Sequence, residues 1–117
     1  MLLETVIFHV CRKKDWEVAQ LTGSYSGPAE GNNDNFIHFS DSKEVFESVE
    51  KHFSGCSDLI LLTVRTELLG SALKWERSRG GKIFPHLYSS LPLKAVVEVQ
   101  NIDVNSKGKH IFDNLKL

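Results

Sequence analysis

The residues most able to do chemistry cluster between Leu73 and Tyr88, where LKWERSRGGKIFPHLY sets Trp75, Glu76, Arg77, Arg79, His86 and Tyr88 around the pair Gly80-Gly81. Two large aromatics and a proline near a histidine exceed what a surface turn needs, and several cations on neighbouring positions exceed what a core tolerates. The run reads as one wall of a ligand site, against the plainer alternative of an exposed strand with a Gly-rich turn. Lys74, Arg77, Arg79 and Lys82 against the single acid Glu76 leave a local charge of +3 over nine residues. That charge suits a phosphate-bearing small molecule better than a duplex. Imidazole and guanidinium groups bind phosphate and ribose hydroxyls, and an aromatic ring stacks on a base. One carboxylate can orient a ribose or stabilise a cationic transition state. The expected ligand contacts are therefore His9, His38, Ser40, Trp75, Arg79, His86 and Tyr88, with Glu76 and His38 as the catalytic candidates.

Two other chemistries are weaker. His9, His38 and His86 all fall near strand ends and could share zinc with Glu76 or Asp34, but no HxH or HxxxH pair is present and no metal is expected. Cys11 and Cys56 form no CxxC motif and read as free thiols in a reducing compartment. Cys11 sits at a helix entrance, a place that can lower a thiol pKa, yet nothing in the sequence ties it to a base.

The elements that must position these groups follow from periodicity. Residues 2 to 10 read as a strand with Thr5, Ile7 and His9 on one face and Val6, Phe8 and Val10 on the other. Residues 12 to 21 fit a helix with Trp16, Ala19 and Gln20 on one side, ended by Gly23. GSYSGPAEGNNDN, from 23 to 35, is a loop, and it enters FIHFS, whose alternation puts Phe36, His38 and Ser40 on one face. Asp41 and Glu44 have capping-box spacing for a helix over 42 to 53, with Val45, Phe46, Val49 and Phe53 as its buried stripe and His52 as a surface residue. LILLTV, from 59 to 64, is apolar on both faces and marks a central strand. A turn over 68 to 73, strand residues 73 to 77, a proline-restrained segment at 84 to 88, a corner at 91 to 93 and a strand over 94 to 102 complete the order.

The fold class is α+β, with two helices covering one side of a mostly antiparallel or split sheet. Its expected core is Val6, Phe8, Val45, Phe46, Val49, Leu59, Leu61 and Val97. At 117 residues the chain is long enough for one domain, placed at residues 1 to 102, with a polar and loosely held tail over 103 to 117 that Ile111, Phe112 and Leu115 could dock. The net charge of -1, with cations and anions interleaved, lacks the footprint of a general nucleic-acid binder, so no DNA duplex is expected as partner. No stretch reaches the roughly 18 to 20 apolar residues of a membrane span, and MLLETVIFHV lacks the form of a signal peptide. A cytoplasmic, soluble protein is expected.

The strand ending in His9, the loop entering FIHFS, DLILLTV at 58 to 64, and KWERSRGGKIFPHLY followed by LPLKAVVEV together resemble the bacterial family catalogued as domain of unknown function 952, over roughly residues 4 to 102. That family is grouped by resemblance with the ADP-ribosyltransferase superfamily. The resemblance implies small split antiparallel sheets in an ADP-ribosyltransferase-like fold with NAD as cofactor, bound in a cleft between the two sheets. The nearest likeness within the superfamily is to RNA 2'-phosphotransferases, whose histidine on the first strand and VHLS-like second motif are matched by His9 and by His38-Phe39-Ser40. It implies ADP-ribosyl or 2'-phosphate transfer on a nucleotide, a phosphorylated small molecule or an RNA end. Two departures stand: Val10-Cys11 replaces the Gly-Thr that follows the first histidine, and Glu76 and Glu98 compete as the functional acid. A non-catalytic module for anionic metabolites, or an interaction domain, is the alternative from another class.

Overall fold

The computed structural model describes residues 5–28 and 35–117, and the side chains of all of these except Arg79. The stretch from 29 to 34, which holds most of the expected loop and Asp34, lies outside the described residues. β1 (Val6–Arg12) runs into helix α1 (Lys13–Thr22), then come the two-residue strands β2 (Ser24–Tyr25) and β3 (Ile37–His38), helix α2 (Val45–His52) and β4 (Leu59–Arg65). Two 3-10 turns lead to β5 (Leu73–Arg77), β6 (Ile83–Leu87), β7 (Leu91–Pro92) and β8 (Val96–Ile102). These strands form three small antiparallel sheets with orders β1-β4-β8, β2-β7 and β3-β6-β5.

β4 is the central strand its composition predicts: six of its seven residues are buried, and only Arg65 is exposed. Because its neighbour β1 is apolar on both faces, two cores form, one on each side of that sheet. Ile7 and Cys11 point into the first, with Trp16 and Ala19 of α1, Ile60, Leu62, Ile37 and Leu87. Phe8 and Val10 point into the second, with Val45 and Val49 of α2, Leu59 and Leu61. The two helices therefore cover opposite faces, where sequence reasoning put them on one side. Helical periodicity shows which face of a helix is apolar and says nothing of which side of a sheet receives it.

Other differences are local. α2 starts at Val45 and not at 42, because residues 42 to 44 form a turn in which Asp41 Oδ1 accepts the amide N–H of Lys43 (3.0 Å) and of Glu44 (2.9 Å). Ser24 and Tyr25, read as loop, pair with β7 and bury the Tyr25 ring. Cys11 is a core residue of β1 with its thiol pushed up to about 12 by burial, the reverse of the activation a helix entrance would give. Val97 is 52 % exposed and does not belong to the core. It lies on an edge strand whose outer face alternates with the buried one.

The tail is attached by side chains. The Phe112 ring stacks on Phe46 at 4.2 Å, His110 Nε2 meets the Cys56 carbonyl at 2.8 Å, and Gln100 exchanges two hydrogen bonds of 2.8 Å with the Lys116 backbone. Leu61→Ala, at a fully buried site, is expected to destabilise by about 2–5 kcal/mol, whereas Val97→Ala should stay within about 0.5 kcal/mol. Urea denaturation checks both, and a Val97 cost equal to that of Leu61 would refute the face assigned to β8.

Candidate functional site

Alternation along three paired strands builds the site. In the β3-β6-β5 sheet Ile37 lies opposite Leu87, Leu73 opposite Leu87 from the other side, and Trp75 opposite Pro85. These residues form the face that packs on the first core. The intervening positions belong to the other face: His38 opposite His86, and Lys74 opposite His86, with Glu76 and Phe84 the next pair along. Phe36 and Tyr88 continue that face just beyond the strand ends. Gly80 and Gly81, at φ 76° and 79°, turn β5 back into β6 in a conformation that side-chain-bearing residues rarely adopt. This turn brings Glu76 within reach of His86.

His86 is the centre of the arrangement. The ring is 4 % exposed, and Nδ1 donates to Glu76 Oε1 at 2.9 Å. The same oxygen accepts the Tyr88 hydroxyl at 2.6 Å. A carboxylate only accepts, so Nδ1 carries the proton and Nε2 of neutral His86 presents a lone pair. That Nε2 is buried and has no hydrogen-bond partner among the described residues. The Tyr88 hydroxyl first, and then His86, hold the Glu76 carboxyl below the usual carboxylate range. Phe36 stacks on the imidazole at 4.2 Å and also meets His38 at 4.6 Å and Tyr88 at 5.1 Å.

His86 lines a cleft of about 470 Å³ between this sheet, β1 and α2. His38, Phe39 and Ser40 form its floor with Phe8 and His9, while Glu44, Glu47, Ser48, Lys51 and His52 line it from the side of α2. Lys82, at the turn end of β6, crosses toward the helix and pairs with Glu44 at 2.9 Å and Glu47 at 3.8 Å. The Lys82 ammonium holds the Glu44 carboxyl down, and Glu44 raises the lysine in return. The formal charges of Glu44, Glu47, Lys51 and Lys82 on the lining therefore balance.

His9 behaves differently from the other two histidines. Nδ1 donates to the His38 carbonyl at 2.6 Å and Nε2 accepts from the Tyr25 hydroxyl at 2.7 Å. Both nitrogens are committed, which leaves the ring no atom for a ligand or a metal. Burial lowers its pKa to about 4 from an ordinary 6.5. Burial likewise pushes the Tyr25 phenol up, so it stays a donor.

The expected site residues thus divide. His38, Ser40 and His86 share the cleft, with His9 beneath them, and Glu76 and Tyr88 stand behind His86. Trp75 packs on the opposite face of β5, as alternation from Glu76 requires. The Arg79 side chain lies outside the described residues. Glu98 is on β8, away from the cleft lining. Sequence reasoning passes over Phe36, Tyr25 and Lys51 as site residues, while His52 is exposed as expected and also borders the cleft. Phe36 has a signal, since it shares the alternation of His38, and His52 lies one helical turn from Ser48. Among the described residues no three His, Cys, Asp or Glu side chains gather at metal-binding distance.

The buried His9 makes stability depend on pH. The unfolded chain takes up a proton near pH 6.5 and the folded chain only near 4, so the unfolded state binds more protons between these values. Stability that is full above pH 6.5 is expected to fall by on the order of 3 kcal/mol on acidification toward pH 4. In His9→Asn this component should vanish from the pH profile of the denaturation midpoint, and an unchanged profile would refute it.

No curated protein matches the chain. The X-ray structure of protein CC0527 from Caulobacter crescentus matches with a TM-score of 0.85 at 37 % identity, over 92 % of this chain and 95 % of that one. The solution NMR structure of CC0527 matches with a TM-score of 0.82 at 37 % identity, over 96 % and 97 %. No helix among the described residues is long and apolar enough to cross a membrane. The sequence pattern described as protein of unknown function DUF952 matches residues 10–99, within which lie Phe36, His38, Ser40, Glu76, His86 and Tyr88, and the chain belongs to that family.

Proposed function

We propose that the chain binds a phosphate-bearing nucleotide, NAD or a related dinucleotide, in the cleft between α2 and the β3-β6-β5 sheet, with His86 as the residue that meets it. The observation that carries this reading is the buried Nε2 of His86 at the cleft wall, which has no hydrogen-bond partner among the described residues and is the acceptor of the neutral ring when Nδ1 donates to Glu76. A ribose hydroxyl is a donor of the right kind for such a nitrogen. His38, Lys51 and His52 supply cationic or donor groups for phosphate along the same cleft. The volume of about 470 Å³ is in the range of small-molecule sites. The ADP-ribosyltransferase-like reading is supported by the position of the cleft where two small antiparallel sheets part.

The enzymatic form of this reading is ADP-ribosyl transfer, or transfer of a 2'-phosphate from an RNA end. His86 backed by Glu76 is then the group able to take a proton from an attacking hydroxyl. Glu76 does not itself line the cleft, so it acts through His86 as a positioning residue. One observation favours the non-catalytic alternative, a binding module for anionic metabolites. The carboxylates that do line the cleft, Glu44 and Glu47, both face Lys82, and neither is placed to stabilise a ribosyl cation.

NAD and ADP-ribose are expected to raise the melting temperature of the wild type, because a ligand bound only by the folded state stabilises it. His86→Asn should weaken both by about ten- to a hundredfold, the worth of one hydrogen bond in a buried site. Release of nicotinamide from NAD, lowered by Glu76→Gln more than binding is, would identify the enzymatic form. A wild type that responds to neither NAD, ADP-ribose, inorganic phosphate nor a 2'-phosphorylated RNA end overturns the reading.

A further inference from the structure

Phe36 lies just before β3, half-buried, with its ring tilted only 26° from the plane of His86 and 4.2 Å from it. It covers a face of the imidazole whose Nε2 is buried without a partner among the described residues. On one side of this pair is the main cleft. On the other is a recess of about 270 Å³, lined by Phe36 itself together with Ser26, Leu87, Tyr88 and Ser90. The ring lines the recess and covers a face of His86, which itself lines the main cleft, and rotation about its side-chain bonds is the motion that would uncover that face.

We propose that Phe36 determines the specificity of the cleft for nucleosides. Its ring holds the stacking place on His86 that the planar base of a nucleoside would take, and it turns into the recess when a base displaces it. The base then lies on the imidazole face while a ribose hydroxyl donates to Nε2 at the imidazole edge, two contacts that a nucleoside can make together and a sugar phosphate cannot. A flat heteroaromatic ring is selected because the face it must cover is flat and already accepts a ring at stacking distance. This inference rests on the nucleotide reading of the cleft and narrows it to ligands that carry a base.

The test has a ligand-free arm and a ligand arm. Acylation of histidines by diethyl pyrocarbonate, followed by peptide mass mapping, reports access to His86, with the exposed His52 as internal reference. Phe36→Ala is expected to raise the His86 rate relative to His52 at least about tenfold, and Phe36→Leu to raise it less, since removing a competing contact enlarges the open fraction. An unchanged His86 rate in both variants would overturn the cover. In calorimetric titrations Phe36→Ala should bind AMP at least about tenfold tighter than the wild type, with ribose 5-phosphate unaffected. Equal change for the two ligands, or weaker AMP binding, overturns the specificity role alone. Failure of both ligands to bind wild type and variants overturns the nucleotide reading and the specificity role with it, while the acylation rates still decide whether Phe36 covers His86. Phe36→Leu, which keeps an apolar side chain at the site, guards against loss of folding in the alanine variant.

Discussion

The hydrogen bond from His9 Nδ1 to the His38 carbonyl, at 2.6 Å, is the contact on which the arrangement of the molecule turns. The segment from 37 to 40 belongs to two sheets. Its first residues pair with β6, Phe39 N donates to the Pro85 carbonyl at 3.0 Å, and Ser40 exchanges two bonds of 2.8 Å with Phe8 of β1. A strand that changes partners in four residues strands a carbonyl at the change, and a buried carbonyl without a donor is costly. His9 supplies that donor, and the Tyr25 hydroxyl fixes its tautomer from the other side. The cost is a histidine that must stay neutral in a dry interior, offset by two short hydrogen bonds.

Where the two sheets part, a cleft is left that neither could form alone. In the β1-β4-β8 sheet β1 and β4 are buried on both faces, and β1 contributes a floor through Phe8 and His9. The β3-β6-β5 sheet is half-buried: one face is core, and the other carries Phe36, His38, His86, Glu76 and Tyr88. Antiparallel sheets support this division because alternate residues separate the two environments without a change of backbone. A site assembled on paired strands is also held more tightly than one on loops, since each side chain inherits its direction from a ladder of backbone hydrogen bonds.

The polar groups at the site are arranged in ranks. Glu76 takes two donors on one oxygen and lies behind His86, and Lys82 occupies the two acids of α2. In consequence the acids near the cleft are engaged, while His86 Nε2 in the cleft wall has no hydrogen-bond partner among the described residues. Buried polar atoms without a partner are uncommon in folded interiors. The ion pair of Lys82 with Glu44 lies at the surface and contributes little to stability by itself. Its effect is on position, since it ties the β5-β6 turn to the start of α2 across the cleft.

Sequence alone determined the strands β1, β4 and β8, the helices α1 and α2 within a few residues, the end of α1 at Gly23, and the family, because each is written in local periodicity, capping or a contiguous motif. It also put Phe36, His38 and Ser40 on one face, since period 2 is a property of the strand itself. Tertiary structure decided the rest. Which side of the central sheet each helix covers depends on chain crossings that no local pattern encodes, and the fold separates α1 and α2, which sequence reasoning put on one side. Val97 reads as apolar and is exposed because β8 lies at an edge. The roles of the histidines depended most on the fold: His9, His38 and His86 look alike in the chain, yet one is saturated by the His38 carbonyl and Tyr25 while another keeps an orphaned nitrogen. Hydrogen-bond satisfaction is set by groups tens of residues away, and only the assembled sheets bring those groups within reach.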